Sequence, residues 1–352
     1  MKKLLSDLYY DELKVELNNL GLPNYKAGQI FKWLMKGASF EEMSDIDKKT
    51  RAILSENYID IPAKIIQSLV AADGTEKYLF ELSDGNIVEG VFMSYKYGNT
   101  VCISTQVGCR MGCSFCASTI GGFVRNLSAG EIVGQVIAVN KLKDKGEGRA
   151  VTNIVLMGSG EPLDNYNNVI KFVRLINDEK GINVSCRNIS LSTCGLVNEM
   201  RKLANEDLQI NLTISLHSPF DVERDELMPI NRKYQIKEVI GAAKYYFEKT
   251  GRRINFEYVL IAGKNDSIKH VEALATLVRG FSVHVNLIRL NPVKERQYKS
   301  ANNECADKFL NYLQKLGVSA TLRRQMGVEI NGACGQLRNK YVGVNDTQNK
   351  SS

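Results

Sequence analysis

Long apolar runs are missing from this 352-residue sequence: no stretch of 18 or more apolar residues occurs, so no membrane-spanning helix is encoded. The start, Met1-Lys2-Lys3-Leu4-Leu5-Ser6-Asp7, meets an acidic residue before the apolar core of a signal peptide can form. A soluble, cytoplasmic protein with no membrane partner is expected. Histidine is scarce: only His217, His270 and His284 occur, which leaves little room for a His-rich metal site. Strong net charge is also absent. Lys and Arg number 46 against 39 Asp and Glu, a formal charge of +7 that permits phosphate contact but is far from histone-like basicity. Hydrophobic residues at 44% and charged residues at 24% exclude a disordered or collagen-like chain. No internal repeat stands out. What the sequence does have is cysteine. Eight of them in a cytosolic chain of this size read as chemistry or packing before they read as disulfides.

At roughly 150 residues per domain, the length suggests one large domain and a small one. Residues 1–62 carry helical periodicity, with Leu13, Leu17 and Leu20 at i, i+4, i+7 and Ile30, Trp33 and Leu34 at i, i+3, i+4. Ile53 and Leu54 close a third helix of this small accessory domain. Lys26, Lys32, Lys36, Lys48, Lys49 and Arg51 surround it, either as a solvated face or as contacts to RNA. Residues 63–100 read as a β-hairpin extension, with turn signals at Asp73-Gly74 and Asp84-Gly85. Residues 101–341 alternate strand and helix. Strands are predicted at 101–105, 153–157, 188–192, 211–216, 255–261 and 284–289, and helices between them, the first opened by the capping box Ser128-Ala129-Gly130-Glu131. Alternating βα units predict a parallel sheet with right-handed crossovers. Six units are fewer than the eight of a closed barrel, so the expectation is an α/β fold with an open or partial barrel, its function at the C-terminal ends of the strands. Residues 342–352 are polar and predicted to be a flexible tail.

The decisive segment is Val107-Gly108-Cys109-Arg110-Met111-Gly112-Cys113-Ser114-Phe115-Cys116, directly after the first barrel strand. Cys109, Cys113 and Cys116 have C-x3-C-x2-C spacing. Three thiolates so close need a shared positive partner. A structural zinc site closes with four ligands, and neither a second cysteine pair nor a nearby histidine is present. Ferredoxin-type clusters also use four cysteines, in other spacings. Three cysteines on a four-iron cluster leave one iron open to a small molecule.

This spacing, with Phe115 before the last cysteine, resembles the radical S-adenosylmethionine (SAM) superfamily, whose partial (βα)6 barrel agrees with the strand count. The resemblance implies a [4Fe-4S] cluster on Cys109, Cys113 and Cys116, with the amino and carboxylate groups of SAM on the open iron. It also implies that Gly160 and Glu161, in Met157-Gly158-Ser159-Gly160-Glu161-Pro162-Leu163, meet the methionine amino group, although Ser159 splits the usual glycine pair and suggests a looser element. Further matches narrow the family. Cys102, Arg125-Asn126-Leu127, Leu191-Ser192-Thr193, Ser215-Leu216-His217, Met228-Pro229-Ile230-Asn231, Asn286-Leu287-Ile288-Arg289 and Ala333-Cys334-Gly335-Gln336-Leu337 occur in the order of the RlmN/Cfr family of dual-specificity RNA methyltransferases. The likeness runs from about residue 10 to 341.

By that resemblance Cys334 takes a methyl group from one SAM, a displacement a thiolate performs readily. A radical from a second SAM then activates the S-methyl group, which adds to an adenine ring carbon. Cys102 resolves the adduct through a transient disulfide, and an external donor such as flavodoxin restores the thiols. Ser192, Ser215, Leu216, His217 and Asn291 match the remaining SAM contacts, and Glu89 matches the proton acceptor. The implied substrates are 23S rRNA, in its peptidyl-transferase loop before ribosome assembly is complete, and tRNA. The enzyme is expected to act as a monomer. Pro162 resembles the C2-methylating branch; the C8-methylating branch tends to carry alanine there. A non-catalytic iron–sulfur or zinc RNA-binding module, and a radical SAM activase acting on protein, are the readings from other classes. Cys186, Cys194 and Cys305 receive no catalytic role.

Overall fold

The computed structural model describes residues 2–144, 149–291, 293, 295–327 and 330. Ten strands form one sheet and lie across it in chain order: β1 (Ala63–Val70), β2 (Glu76–Leu82), β3 (Ile87–Tyr95), β4 (Gly98–Cys102), β5 (Asn153–Leu156), β6 (Ile189–Thr193), β7 (Asn211–Ser215), β8 (Ile254–Leu260), β9 (Val283–Arg289) and β10 (Ala320–Leu322). The strands β1 to β4 pair antiparallel, and β4 to β10 pair parallel. The 63–100 segment is thus three antiparallel strands continuous with the barrel sheet. Gly74 and Gly85 close its turns at φ near +80°, a conformation glycine adopts without a Cβ penalty.

Two strand expectations are corrected. The first barrel strand ends at Cys102, because beyond Ile103 the backbone leaves the ladder: Ser104 N–H donates to the Gln135 side chain and Thr105 N–H to the Ser159 carbonyl. A seventh parallel strand, β10, pairs Ala320 with Val285 and extends the expected six. Three residues are too few to show an alternating pattern.

The helices α1 (Tyr10–Asn19), α2 (Lys26–Met35) and α3 (Lys48–Asn57) precede the sheet. The crossover helices are α4 (Ala129–Lys143), α5 (Tyr166–Asn177), α6 (Val197–Leu203), α7 (Asp221–Leu227), α8 (Ile236–Thr250), α9 (Ile268–Leu277) and α10 (Asn303–Lys315). The Ser128–Glu131 capping box at the start of α4 is formed in both directions. One apolar cluster runs from Leu13, Leu17, Ile30 and Phe31 through Ile132 and Val136 to Ile154 and Ile214, so the N-terminal helices share the barrel's core. Asp7 accepts from Gly130 N–H at 2.6 Å, and a Cβ on Gly130 would lie 2.6 Å from Ser6 Oγ. No helix among the described residues is long and apolar enough to cross a membrane.

Candidate functional site

Beyond β4 the chain forms a small antiparallel ribbon, Gln106–Gly108 against Phe123–Asn126, and the cysteine loop hangs between its two strands. Gly108 sits at φ +74°, and a Cβ there would lie 1.8 Å from the Gly122 carbonyl oxygen. No other residue fits. Cys109 N–H donates to that same carbonyl at 3.1 Å, fixing the first thiol. Ser114 N–H donates to the Leu227 carbonyl at 2.9 Å, tying the loop to the end of α7.

The three thiols line one cavity of about 300 Å³ at the C-terminal ends of the strands. Gly160, Glu161, Ser192, Ser215 and His217 line it with them. Burial and mutual repulsion push the Cys109 thiol up to about 12 and Cys113 well above its usual range. Unpartnered, these groups are neutral thiols; as thiolates they need a cationic partner. Among the described residues no three His, Cys, Asp or Glu side chains are gathered closely enough for a single metal ion. The closed four-ligand shell of a structural zinc is therefore not formed by these residues. The donor set fits an iron–sulfur cluster, which takes each thiolate on a separate iron.

The second-strand element is held firmly rather than loosely. Ser159 N–H donates to Ser104 Oγ, and the Ser159 carbonyl accepts from Thr105 and Gln106 N–H. Gly160 has φ +104°, and a Cβ would lie 2.5 Å from the Gln106 side chain. Glu161 is buried, its Oε1 accepting from Leu163 N–H at 3.0 Å and its Oε2 from Cys194 N–H at 2.8 Å. Burial raises its pKa, and these donors oppose the shift.

His217 is buried at φ +60°, and its Nδ1 accepts from Val259 N–H at 3.1 Å. Its proton therefore resides on Nε2. Burial, aided by the Arg224 charge, lowers its pKa to about 3, so the ring is a neutral donor. Phe115 packs edge-to-face on it at 4.9 Å. Leu216 is fully buried and contributes backbone: its N–H donates to the Glu257 carbonyl, and its own carbonyl accepts from Arg224.

Cys102 and Asn291 line a neighbouring cavity of about 170 Å³, which shares Met157, Ile288 and Arg323 with the first. Glu89 lies on β3 two residues before Val91, on the face that carries Val91 and Met93 into that cavity. Glu89 is only 2% exposed, and its Oε2 lies 3.1 Å from the fully buried Lys77 Nζ. Cys334 lies outside the described residues.

Two residues of the site were not read from the sequence. Cys194 lines the main cavity, and burial beside Glu161 keeps it a neutral thiol. Arg224 is fully buried and donates to the carbonyls of Cys194, Ser215 and Leu216 and to Asn231 Oδ1. In sequence it sits within Asp-Val-Glu-Arg-Asp-Glu-Leu, where four other charged side chains give no sign that this one is buried. A larger apolar groove of about 980 Å³ lies between α4 and β1, away from the thiols, and carries none of these residues.

Residues 103–278 match the radical SAM superfamily, and residues 4–59 match the ribosomal RNA large subunit methyltransferase N-terminal domain. A probable dual-specificity RNA methyltransferase RlmN of Clostridium perfringens (strain 13 / Type A) is 50% identical over 345 residues, covering 97% of this chain and 98% of the relative. Its counterpart in Clostridium novyi (strain NT) is 48% identical over 346 residues, covering 97% and 99%. A radical SAM methyltransferase from Sphaerobacter thermophilus has a structure that matches with a TM-score of 0.92 at 43% identity, covering 95% of this chain and 98% of that one.

Proposed function

Because the chain belongs to the RlmN family of radical SAM dual-specificity RNA methyltransferases, we propose that it methylates C2 of an adenosine in the peptidyl-transferase loop of 23S rRNA and of an adenosine in tRNA. One observation carries the reading: three thiols with cluster spacing share a cavity with Gly160 and Glu161, and that cavity adjoins the one lined by Cys102. Cys109, Cys113 and Cys116 would hold the [4Fe-4S] cluster, and Gly160, Glu161, Ser192, Ser215, Leu216, His217 and Asn291 would bind SAM. When bound, the cluster supplies the electron that cleaves SAM to a carbon radical. The chain's own residues do the rest. Cys334 takes a methyl group by displacement, so each turnover uses two SAM, one for the methyl and one for the radical. Cys102 attacks the Cys334 sulfur and releases the methylated base, leaving a disulfide that an external donor such as flavodoxin reduces. Glu89 takes the ring proton, and its ion pair with Lys77 is what keeps a carboxylate inside the barrel wall. Pro162 supports C2 over C8 as the target carbon. Residues 1–62 serve as the RNA-contacting accessory domain, 63–100 as the extension, 101–341 as the catalytic barrel and 342–352 as a tail.

The experiment is metal analysis of anaerobically purified protein, paired with Cys334→Ala. About four irons per chain, a paramagnetic spectrum that shifts with SAM, and turnover lost in the variant at unchanged iron content are expected. One zinc and no iron, or full turnover in the variant, would overturn the reading.

A further inference from the structure

Below the SAM cavity the barrel interior is polar. Thr100, Ser190, Thr213, Asn255, Asn286 and Thr321 line a lumen of about 470 Å³, and Glu257 on β8 lies where it meets the cavity, contributing to the walls of both. Glu257 is 4% exposed. Its Oε1 accepts from Asn286 Nδ2 at 3.1 Å, which fixes the side chain. Among the described residues its Oε2 is buried with no hydrogen-bond partner, and the cation beside it, Arg323 Nη1, lies 3.8 Å away, beyond hydrogen-bond reach. A buried acceptor left open costs free energy that a ligand donor recovers on binding.

We propose that Glu257 is a SAM-binding residue whose Oε2 accepts a hydrogen bond from a ribose hydroxyl of SAM. The inference rests on the radical SAM reading above and adds a contact to it. Three features select this donor. Glu257 is paired in register with Ser215, so its carboxylate emerges beside a residue already facing the cavity. The other carboxylate of the cavity, Glu161, already has each oxygen engaged by a backbone N–H group, and its remaining acceptor capacity is assigned above to the methionine amino group. Arg323 offsets much of the Glu257 charge, which suits a neutral hydroxyl better than the SAM sulfonium.

The test is equilibrium binding of SAM and of 5′-methylthioadenosine to the anaerobic, cluster-loaded full-length protein, wild type against Glu257→Gln. Methylthioadenosine keeps the ribose and lacks both the sulfonium charge and the amino-acid group. Both ligands should bind about tenfold more weakly to the variant, the worth of one charge-assisted hydrogen bond, at unchanged iron content. Should Glu257→Gln fail to fold, Glu257→Asp withdraws the oxygen by about one bond length and should show the same paired weakening. Unchanged affinity for both ligands would overturn the proposal. Weakening for SAM alone would assign the carboxylate to the sulfonium instead. Unchanged SAM and methylthioadenosine binding with a raised KM for RNA would assign it to the target nucleoside. A wild-type protein without four irons, or without SAM binding, would instead sink the parent reading.

Discussion

His217 shows how one buried residue sets a pH response. Its folded pKa lies near 3, against about 6.5 in an unfolded chain, because burial disfavours the charged ring. Between those values the unfolded state binds the proton and the folded state does not. Stability is therefore complete above about pH 6.5 and is lost as pH falls toward 3. Between pH 7.5 and 5.5 this group should cost the wild type about 1.4 kcal/mol. His217→Asn, which tolerates the positive φ, should remove that share of the pH dependence in denaturant titrations at the two pH values. An equal loss in both proteins would show that His217 is already paired with a carboxylate or open to water. Legibility at this scale was uneven. Three thiols at short spacing announce themselves. Lys77 and Glu89 do not, because an ion pair across two antiparallel strands leaves no local pattern, and each alone looks solvent-facing.

At the scale of elements, the strand-end loops depend on one side chain. Arg224 on α7 joins the loops after β6 and β7 by donating to Cys194, Ser215 and Leu216 carbonyls, while Asn231 holds its Nη1 and accepts no charge itself. Arg224→Met fills the same volume but strands these buried carbonyls. It should lower unfolding stability by about 3 kcal/mol and weaken SAM binding, measured by urea titration and equilibrium dialysis. A loss within about 0.5 kcal/mol would mean that water replaces the guanidinium. The strongly periodic elements were readable: the α4 capping box and the crossover helices other than α7 follow from local spacing alone. The short strand β10 and the departure of residues 103–105 from the ladder were not, since both are decided by distant partners, Val285 and Ser159.

For the whole molecule, the sheet order is the simplest available, each strand beside the next in sequence, and it brings loops from β4 to β8 around one cavity. That convergence is why residues separated by more than a hundred positions, such as Cys113 and His217, line a common wall. The polar lumen was invisible in the sequence because its Asn, Ser and Thr residues are spread one or two to a strand. The central claim is the identity of the product. Reconstituted protein with a 23S rRNA fragment, methyl-labelled SAM and a low-potential reductant should yield 2-methyladenosine when the RNA is digested and its nucleosides are separated by liquid chromatography against standards of the two equal-mass isomers, 2- and 8-methyladenosine, with mass detection of the label. Finding 8-methyladenosine, or no label in adenosine while the cluster is intact and SAM is consumed, would contradict the account.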